Sequence, residues 1–458
     1  MSEAHPLDSP RTLWAIGVGT LLSSLSSATI NMALPVLGRD LAISLEDSRW
    51  IVQAFLLTVA VCLPIAGKVS DLLGYRRLYL SGFVLFGVAS LLCAIAPGFG
   101  TLVCARVLQG VGGALAMATA PALLMTVFPP QKRGKALGIL STATYVGLTL
   151  GPPLGGVLVA GLGWRWTFGI NVPICVLILW MGLTMIPRSN PTRQGRIHGP
   201  SVAALFLGLP LFLYAISELP RAGFTALTVL APAILGALSL VAFLRMQGKT
   251  AHPLLDLGLF SDRTFSGAVL SAVCNYVALF VPILLLPFYL QEGLGQDPAT
   301  AGLILSAQPL VMALVASPSG WLSDRVGTRG LAMAGMLVLA AGLSTLSILD
   351  RGSAPALVAG CWAVAGLGTG IFISPNSSAL MGATPRHLLG TAGSLIAQAR
   401  ILGMLLGVAF GTLLFQEWGG HTGHPWQPVE FAALQVAIRF AAGVALLGAL
   451  AAYLRKTA

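Results

Sequence analysis

The chain of 458 residues is 56% hydrophobic and only 9% charged, with a formal net charge of +11. A water-soluble protein usually carries about a quarter charged residues, so lipid rather than water is the expected solvent for most of this surface. The basic residues occur in short clusters between apolar runs, a pattern that orients membrane proteins and argues against a nucleic-acid partner.

The sequence contains fourteen apolar runs long enough to cross a bilayer core of about 30 Å, which requires roughly 20 residues per helix. We therefore predict an all-α polytopic membrane protein. In chain order the predicted spans are Leu13–Leu37, Trp50–Ser70, Leu78–Ala96, Thr101–Val127, Ala136–Ala160, Trp166–Ile186, Ser201–Leu219, Ala226–Phe243, Thr264–Leu290, Ala299–Ser317, Leu331–Ile348, Ala354–Ile373, Thr391–Phe415 and Phe431–Tyr453.

The basic residues support this number of spans. If the fourteen runs alternate in direction, eighteen of the 26 Lys and Arg residues fall on the side of the amino terminus and five on the opposite side. The remaining three, Arg106, Arg400 and Arg439, lie within spans. An excess of basic residues marks the cytoplasmic side, so both termini are predicted to be cytoplasmic.

The sequence predicts neither a cofactor nor a metal site. All six cysteines fall inside apolar runs, without ligand spacing or a loop position for a disulfide, and we interpret them as small packing residues. The chain has no Gly-x4-Gly-Lys-Ser/Thr loop and no constellation of nucleophile and base. A membrane enzyme or a subunit of an ATP-driven pump is therefore disfavoured.

An internal repeat relates the two ends of the chain. The segments 67–77 and 320–329 both read Gly-x-apolar-Ser-Asp-x-x-Gly at an offset of 253 residues. The glycines at 147, 151 and 155 recur at 403, 407 and 411, an offset of 256 residues. These offsets predict an amino-terminal six-helix bundle in residues 1–190, two inserted linker helices in 191–260 and a carboxy-terminal six-helix bundle in 261–458.

With these motifs the chain resembles the major facilitator superfamily, and within it the fourteen-span drug:proton antiporters, over nearly its whole length. The first motif lies between predicted spans 2 and 3. In the family this loop latches one conformation, and the resemblance gives that role to Gly67, Asp71, Gly74, Arg76 and Arg77, with Asp324 in the second copy. Ordinary loop chemistry with cytoplasmic positive charge is the alternative interpretation.

The second motif, residues 106–113, resembles the family's fourth-helix motif. Arg106 and Gln109 share one helical face by their spacing of three. An arginine in mid-membrane costs at least a few kcal/mol and usually faces a cavity. The resemblance implies a role in substrate or proton handling, whereas an arginine that reaches back to the interface is the simpler alternative.

The third motif looks like the fifth-helix motif that is associated with antiporters. It comprises Gly147, Gly151, Pro152, Gly155 and Gly156. Glycines four residues apart form a flat face for close helix contact, and the proline bends the helix. The residues themselves predict tight packing and a kink, and the resemblance adds that the motif marks export.

One position departs from the family pattern. Many members carry an acidic residue in helix 1, where this chain has Ser26, and all fifteen acids fall in loops, in the tail or near span ends. Proton coupling is then expected to use acids near the membrane edges, with Asp40, Glu46, Asp71 and Glu218 as candidates, or to be weak or absent. Three arginines within spans also disfavour multiply charged cations as substrates.

Polar residues within the spans predict the lining of a central cavity. The candidates are Ser26, Ser27, Asn31, Tyr145, Asn275, Tyr276, Gln308, Gln398 and Arg400. For each of them a hydrogen bond between helices is at least as good an interpretation as ligand contact.

The sequence thus predicts a secondary active transporter of the cell inner membrane. It is expected to export small amphiphilic compounds by alternating access in exchange for protons. An uncoupled facilitator or a lipid translocator of the same fold is the alternative, favoured by the missing acid in helix 1. The expected partners are the small-molecule substrate, protons and the lipid bilayer.

Overall fold

The computed structural model describes residues 10–128, 130–187, 198–223, 225–250, 257–384 and 389–455. Fourteen of its helical segments are long and apolar enough to cross a membrane, which confirms the predicted all-α architecture and the number of spans. The elements are α1 (Pro10–Asp40), α2 (Leu45–Leu73), α3 (Tyr75–Ala94), α4 (Phe99–Val127), α5 (Pro130–Leu162), α6 (Trp166–Gly169), α7 (Asn171–Met185), α8 (Gly199–Ala222), α9 (Leu227–Gln247), a 3₁₀ turn (Leu257–Ser261), α10 (Arg263–Phe288), a π turn (Tyr289–Gly293), α11 (Pro298–Leu305), α12 (Ala307–Val326), α13 (Thr328–Leu346), α14 (Pro355–Gly382), α15 (Leu389–Glu417) and α16 (Pro428–Tyr453).

The fourteen spans alternate in direction, which defines two sides of the molecule. We call the side at which α1 begins the near side and the side at which it ends the far side. Two spans are interrupted: α6 and α7 together form the sixth, and α11 and α12 the tenth. The ninth span continues from α10 into the π turn at its far end.

Short polar side chains begin several of these helices, because the first backbone N–H groups of a helix lack partners within it. Ser44 accepts a hydrogen bond from the Asp47 N–H at 3.2 Å at the start of α2. Asp262 accepts two bonds from backbone N–H groups at the start of α10. Asp297 does the same at the start of α11, and bonds from Thr300 lower the pKa of its carboxyl.

The internal repeat is visible in the backbone. Gly74 joins α2 to α3 with φ 91°, and Gly327 joins α12 to α13 with φ 86°. Each glycine N–H bonds to the carbonyl of a serine four residues earlier, Ser70 at 2.9 Å and Ser323 at 3.0 Å. Side chains rarely adopt such positive φ values, so the repeated glycine permits a helix to reverse within one residue.

The repeated glycines of α5 and α15 perform the same packing in each half of the chain. A Cβ on Gly147 would lie 2.9 Å from the Ser24 Cβ of α1, and a Cβ on Gly403 would lie 2.6 Å from the Tyr276 Cβ of α10. Both distances are shorter than side-chain contacts allow, so glycine is required for these helices to touch. Helices α1 and α5 therefore form a pair that α10 and α15 repeat.

The inserted helices α8 and α9 pack closely on each other. A Cβ on Gly236 of α9 would lie 2.7 Å from the Phe212 nitrogen of α8. Helix α8 also touches α2, with the Trp50 and Tyr214 ring centroids 6.5 Å apart, and it contacts α15. Several large apolar side chains of α9 are exposed, as expected for a surface in lipid. The predicted domain boundaries at residues 190 and 260 remain a prediction.

Candidate transport site

A cavity of about 190 Å³ lies in the near half of the molecule, between the two repeats. Helices α1, α3, α4 and α5 form most of its wall, and α15 closes it from the other repeat. Its described lining residues are Gly19, Thr20, Ser23, Ser24, Tyr79, Phe83, Ala116, Met117, Ala120, Pro121, Leu140, Thr144 and Arg400. Arg400 is the one charged residue among them.

The two walls of this cavity are built from equivalent positions of the repeat. Thr144 of α5 and Arg400 of α15 both line the cavity, and they are 256 residues apart. Each lies one helical turn before the first glycine of its packing face, Gly147 or Gly403. The repeat thus places a hydroxyl group on one wall and a guanidinium group on the other.

Arg400 is held by an aromatic neighbour. The Tyr276 hydroxyl interacts with its guanidinium group, and Tyr145 of α5 lies close to both. Tyr276 reaches this place because Gly403 allows its Cβ to lie against α15. The structure therefore brings together three of the predicted cavity residues, Tyr145, Tyr276 and Arg400.

Arg106 occupies a second polar centre, buried within the first repeat with an exposure of 2%. Its Nε donates to the Ile51 carbonyl at 2.7 Å, and its Nη1 donates to the Gln109 side chain. Its guanidinium group also lies over the Phe55 ring, 4.4 Å from the centroid. In the described part of the chain these contacts include no carboxylate, so the charge is stabilised by neutral groups alone.

The Arg106 centre extends to Ser26 through neutral side chains. Gln109 donates to the Ser90 hydroxyl at 2.7 Å, and the Asn171 amide lies 3.5 Å from the same oxygen. Asn171 also donates to the Ser26 hydroxyl at 3.1 Å. Ser26, where many family members carry an acid, is therefore linked to Arg106 across four helices, in a network that we call the Arg106 network (Arg106, Gln109, Ser90, Asn171 and Ser26).

The second repeat carries an apolar counterpart of this centre. Trp362 of α14 is 2% exposed and donates from its indole nitrogen to the Leu305 carbonyl at 3.2 Å. Trp362 lies 256 residues after Arg106, and Leu305 lies 254 residues after Ile51. The same bond between equivalent helices is thus made by a charged group in one repeat and by an indole in the other.

The two repeats meet at the far side through the predicted antiporter motif. A Cβ on Gly156 of α5 would lie 2.9 Å from the Ala299 Cα of α11, and a Cβ on Gly302 would lie 2.9 Å from the Pro152 carbonyl carbon. Gln291 adds a hydrogen bond of 3.3 Å to the Met32 carbonyl of α1. Gly147, Gly151 and Gly155 face α1 instead, so one glycine-rich stretch serves both packing within a repeat and contact between repeats.

The predicted latch residues are only partly described. The side chains of Asp71 and Asp324 lie outside the described residues. Arg76 donates to the Leu183 carbonyl at 2.7 Å and to the Gly182 carbonyl at 3.3 Å, near the end of α7. Arg77 is exposed, and a Cβ on Gly67 would meet nothing within 4 Å.

The predicted edge acids lie away from the cavity lining. Asp40 accepts a bond of 2.8 Å from the Trp164 indole and pairs with Arg165 at 3.5 Å, which fastens the far end of α1 to α6. Glu218 is half-buried near the far end of α8. The Glu46 side chain lies outside the described residues.

Two acids that the sequence analysis placed in loops or at span ends are in fact buried. Glu292, in the π turn, is 9% exposed and accepts a bond from the Gly423 N–H at 3.1 Å. Glu430 is 2% exposed and accepts a bond of 2.7 Å from the Gln427 N–H, which caps α16. Glu292 is adjacent to Gln291 and therefore lies beside the far-side contact between the repeats.

The other predicted cavity residues bond to neighbouring groups and are absent from the lining of the described cavity. Ser27 and Asn31 donate to carbonyls of α1 itself, and Gln398 donates to the Ala60 carbonyl of α2 at 3.1 Å. Asn275 and Gln308 approach methionine sulfur atoms, Asn275 at 3.5 Å from Met336 and Gln308 at 3.8 Å from Met312. These contacts fit the alternative of hydrogen bonds within and between helices.

Comparison with known proteins agrees with this architecture. A sequence model of the Major Facilitator Superfamily matches residues 16–261 and 268–458. The riboflavin transporter RibZ of Clostridioides difficile is 31% identical over 88% of this chain and 87% of its own length. The multidrug resistance protein Stp of Mycobacterium tuberculosis is 30% identical over 90% of this chain and 77% of its own length.

Two further similarities concern export and fold. The tetracenomycin C resistance and export protein of Streptomyces glaucescens is 31% identical over 89% of this chain and 76% of its own. A crystal structure of a peptide transporter POT in complex with sulfate superimposes with a TM-score of 0.71 over 96% of this chain and 93% of its own, at 16% identity. The chain therefore belongs to the major facilitator superfamily and, within it, to the drug-efflux family.

Proposed function

We propose that this protein is a proton-coupled exporter of small amphiphilic compounds that works by alternating access. The observation that carries the proposal is the position of the cavity. It lies in the near half, between the first repeat and α15 of the second. The glycine-mediated backbone contact between the repeats, at Gly156 and Gly302, is on the far side, although the Gln398–Ala60 bond also joins α15 to α2. This arrangement is expected of one end state of a transporter that opens to each side in turn.

In this proposal the near side is the cytoplasm and the membrane is a cell inner membrane. The excess of Lys and Arg in the near-side segments supports that orientation. The cavity would then receive substrate from the cytoplasm or the inner leaflet. Opening of the far-side contact would release the substrate outside.

Proton entry would drive the cycle. A membrane potential of 100 mV contributes about 2.3 kcal/mol for each proton, and one pH unit contributes about 1.4 kcal/mol. For an uncharged substrate the two together sustain a gradient of roughly 500-fold, which is enough for resistance to a toxic compound. The acids proposed to bind the proton are Asp40, Glu46, Asp71 and Glu218 at the membrane edges, joined now by the buried Glu292.

A second function, uncoupled facilitation or lipid translocation by the same fold, has one observation in its favour. The described lining of the cavity contains no carboxylate, and the position of the helix-1 acid is held by Ser26, whose described partners in the Arg106 network include no carboxylate either. Transport through such a cavity need not bind a proton.

Transport by inside-out membrane vesicles distinguishes these functions. Cationic, neutral and anionic dyes are offered with an imposed pH gradient and again after an ionophore has collapsed it. We expect uptake by wild-type vesicles to fall to the level of transporter-free vesicles when the gradient is collapsed. Equal uptake in both conditions would favour the facilitator.

A further inference from the structure

We propose that Arg400 makes the cavity selective for aromatic compounds that bear one anionic group, such as a carboxylate or sulfonate. The inference rests on the proposed export function, because it assigns the substrate class of that same cavity. It makes Arg400 the residue that binds the anionic group and Tyr276 a residue that positions Arg400.

The charge of the cavity supports this assignment. Arg400 is the only charged group among the described lining residues, and its described neighbours Tyr276 and Tyr145 are neutral tyrosines. A cationic compound would meet an unpaired positive charge there. An anionic compound would instead supply the negatively charged partner that the described lining lacks.

The hydrogen-bond donors of the cavity point to the same group. Thr20, Ser23 and Thr144 each donate to a carbonyl of their own helix, at 3.1, 3.0 and 3.1 Å. These hydroxyls therefore present lone pairs to the cavity. Among the described lining residues the Ser24 hydroxyl and the Arg400 guanidinium group are left as donors, and the guanidinium group is the stronger one. A planar guanidinium group binds carboxylates and sulfonates through two parallel bonds, which a neutral amide cannot reproduce.

Packing between α10 and α15 brings Tyr276 close to Arg400. Gly403 lets the Tyr276 Cβ lie against α15, and the Tyr276 hydroxyl then interacts with the guanidinium group. A side chain held in this way loses less conformational freedom when it binds a ligand. The equivalent positions of the first repeat carry Ser24 and Thr144, so among the described lining residues the cation comes from the second repeat.

The opposite wall suits an aromatic body. Tyr79 and Phe83 line it with their rings 4.9 Å apart in an edge-to-face arrangement, and Met117 and Pro121 continue the apolar surface. The Tyr79 hydroxyl is already bonded to the Ala15 carbonyl at 3.1 Å, so its polar end is occupied. Tyr79 and Phe83 are each 1% exposed and form the back of this wall, whereas Met117 and Pro121 are more accessible. Aromatic side chains and a methionine can adapt to rings of different shape.

Three dansyl derivatives test the assignment because they share one aromatic group and differ in charge. Dansylglycine is anionic, dansylamide is neutral and dansylethylenediamine is cationic. Their binding to the purified full-length protein in detergent is followed by dansyl fluorescence, corrected by displacement with excess unlabelled probe. No pH gradient is present, so a failure of proton coupling would appear only in the vesicle experiment.

We expect wild type to bind dansylglycine at least about tenfold more tightly than dansylethylenediamine. Loss of a hydrogen bond to a charged group predicts that Arg400→Gln weakens dansylglycine binding by about 10- to 150-fold. Dansylamide binding should change by less than about threefold. Arg400→Lys keeps the charge without the planar fork and should give an intermediate loss. Arg439→Gln removes an exposed arginine from α16 and is the matched control.

Tyr276→Phe separates positioning from binding. It removes the hydroxyl but keeps the ring, and we expect a loss of about threefold for dansylglycine alone. Equal binding of the three probes by wild type, or no binding of dansylglycine, would overturn the assignment even if every variant failed to fold. Equally tight binding of dansylglycine by Arg400→Gln and Arg439→Gln would overturn it as well.

Discussion

The far-side contact between the repeats can be tested by adding one methyl group. Gly156→Ala places a Cβ on α5 against the backbone of α11, at the carbonyl of Pro298 and 2.9 Å from the Ala299 Cα. Carbon atoms in contact normally lie about 3.5–4.0 Å apart, so the helices must separate by about 1 Å. The obstacle is backbone, which cannot rotate away as a side chain would.

The size of the effect follows from the cost of overpacking. Forcing an extra methyl group into a close contact usually costs about 1–3 kcal/mol. In the proposed alternating-access cycle the cost falls on the state in which the far side is closed, because the helices would be apart in the other state. The equilibrium should therefore shift toward far-side opening by about 5- to 150-fold.

Spin labels on the far-side loops would measure this shift. Pro97 and Arg351 are exposed residues at equivalent positions of the two repeats, 254 residues apart. In a background without the six native cysteines, double electron–electron resonance between labels at these positions reports how far the repeats have separated. We expect Gly156→Ala to move population from the short distance to a longer one.

Gly161→Ala is the control, because it adds the same methyl group to α5 where nothing lies within 4 Å. It should leave the distance distribution unchanged. Gly302→Ala adds a methyl group to the same contact from the side of α11 and should reproduce the effect of Gly156→Ala. Distributions identical to wild type for both contact variants would refute the idea that this contact closes the far side.

Three further predictions concern the buried polar groups. Ser26→Asp adds a carboxylate to the Arg106 network. We expect uptake by vesicles with this variant to depend more steeply on the pH gradient and to extend to cationic dyes. An unchanged set of transported dyes would contradict this. Glu292→Gln should retain substrate exchange in vesicles but lose gradient-driven uptake. Glu417 is an exposed acid on the far side, and Glu417→Gln should behave as wild type. Loss of gradient-driven uptake in both variants would refute a specific role of Glu292 in proton coupling. Arg106→Met leaves the buried Gln109 oxygen without its hydrogen-bond donor, so the variant should lose about 1–3 kcal/mol of stability. Thermal unfolding in detergent measures this loss. An unaltered midpoint of thermal unfolding would refute the importance of the Arg106–Gln109 bond.

The architecture could be predicted because lipid imposes a strong sequence signal. Every span must be long, apolar and helical, so counting apolar runs and basic residues was sufficient to obtain fourteen spans. The glycine positions were equally informative. At Gly147 and Gly403 the neighbouring helix lies so close that any side chain would clash with it, so only glycine fits.

Polar partners were harder to predict. Arg106 and Gln109 were identified by their spacing, but Ser90 and Asn171, which complete the network, lie on other helices, and no local pattern pairs them with Arg106. Their only trace in the sequence is that both are polar residues within apolar runs. Pairings of this kind depend on the rotation of packed helices, which no single span specifies.

The buried acids show the same limit. Glu292 follows an apolar run and could be interpreted as the polar end of a span. The structure instead continues that span through a π turn, and the loop at Gly423 covers the carboxylate. Burial by a distant loop depends on contacts across 131 residues, beyond the reach of a local pattern.

Simultaneous measurement of substrate and proton flux tests the central claim most directly. Purified protein is reconstituted in proteoliposomes that contain a pH-sensitive dye and whose lumen is made more acidic than the medium, and the membrane potential is clamped at zero with potassium and valinomycin. We predict that dansylglycine accumulates against its gradient while protons leave the lumen at a rate that rises with substrate flux. Movement of dansylglycine only down its own gradient, with no accompanying change in lumenal pH, would contradict proton-coupled export and identify a facilitator.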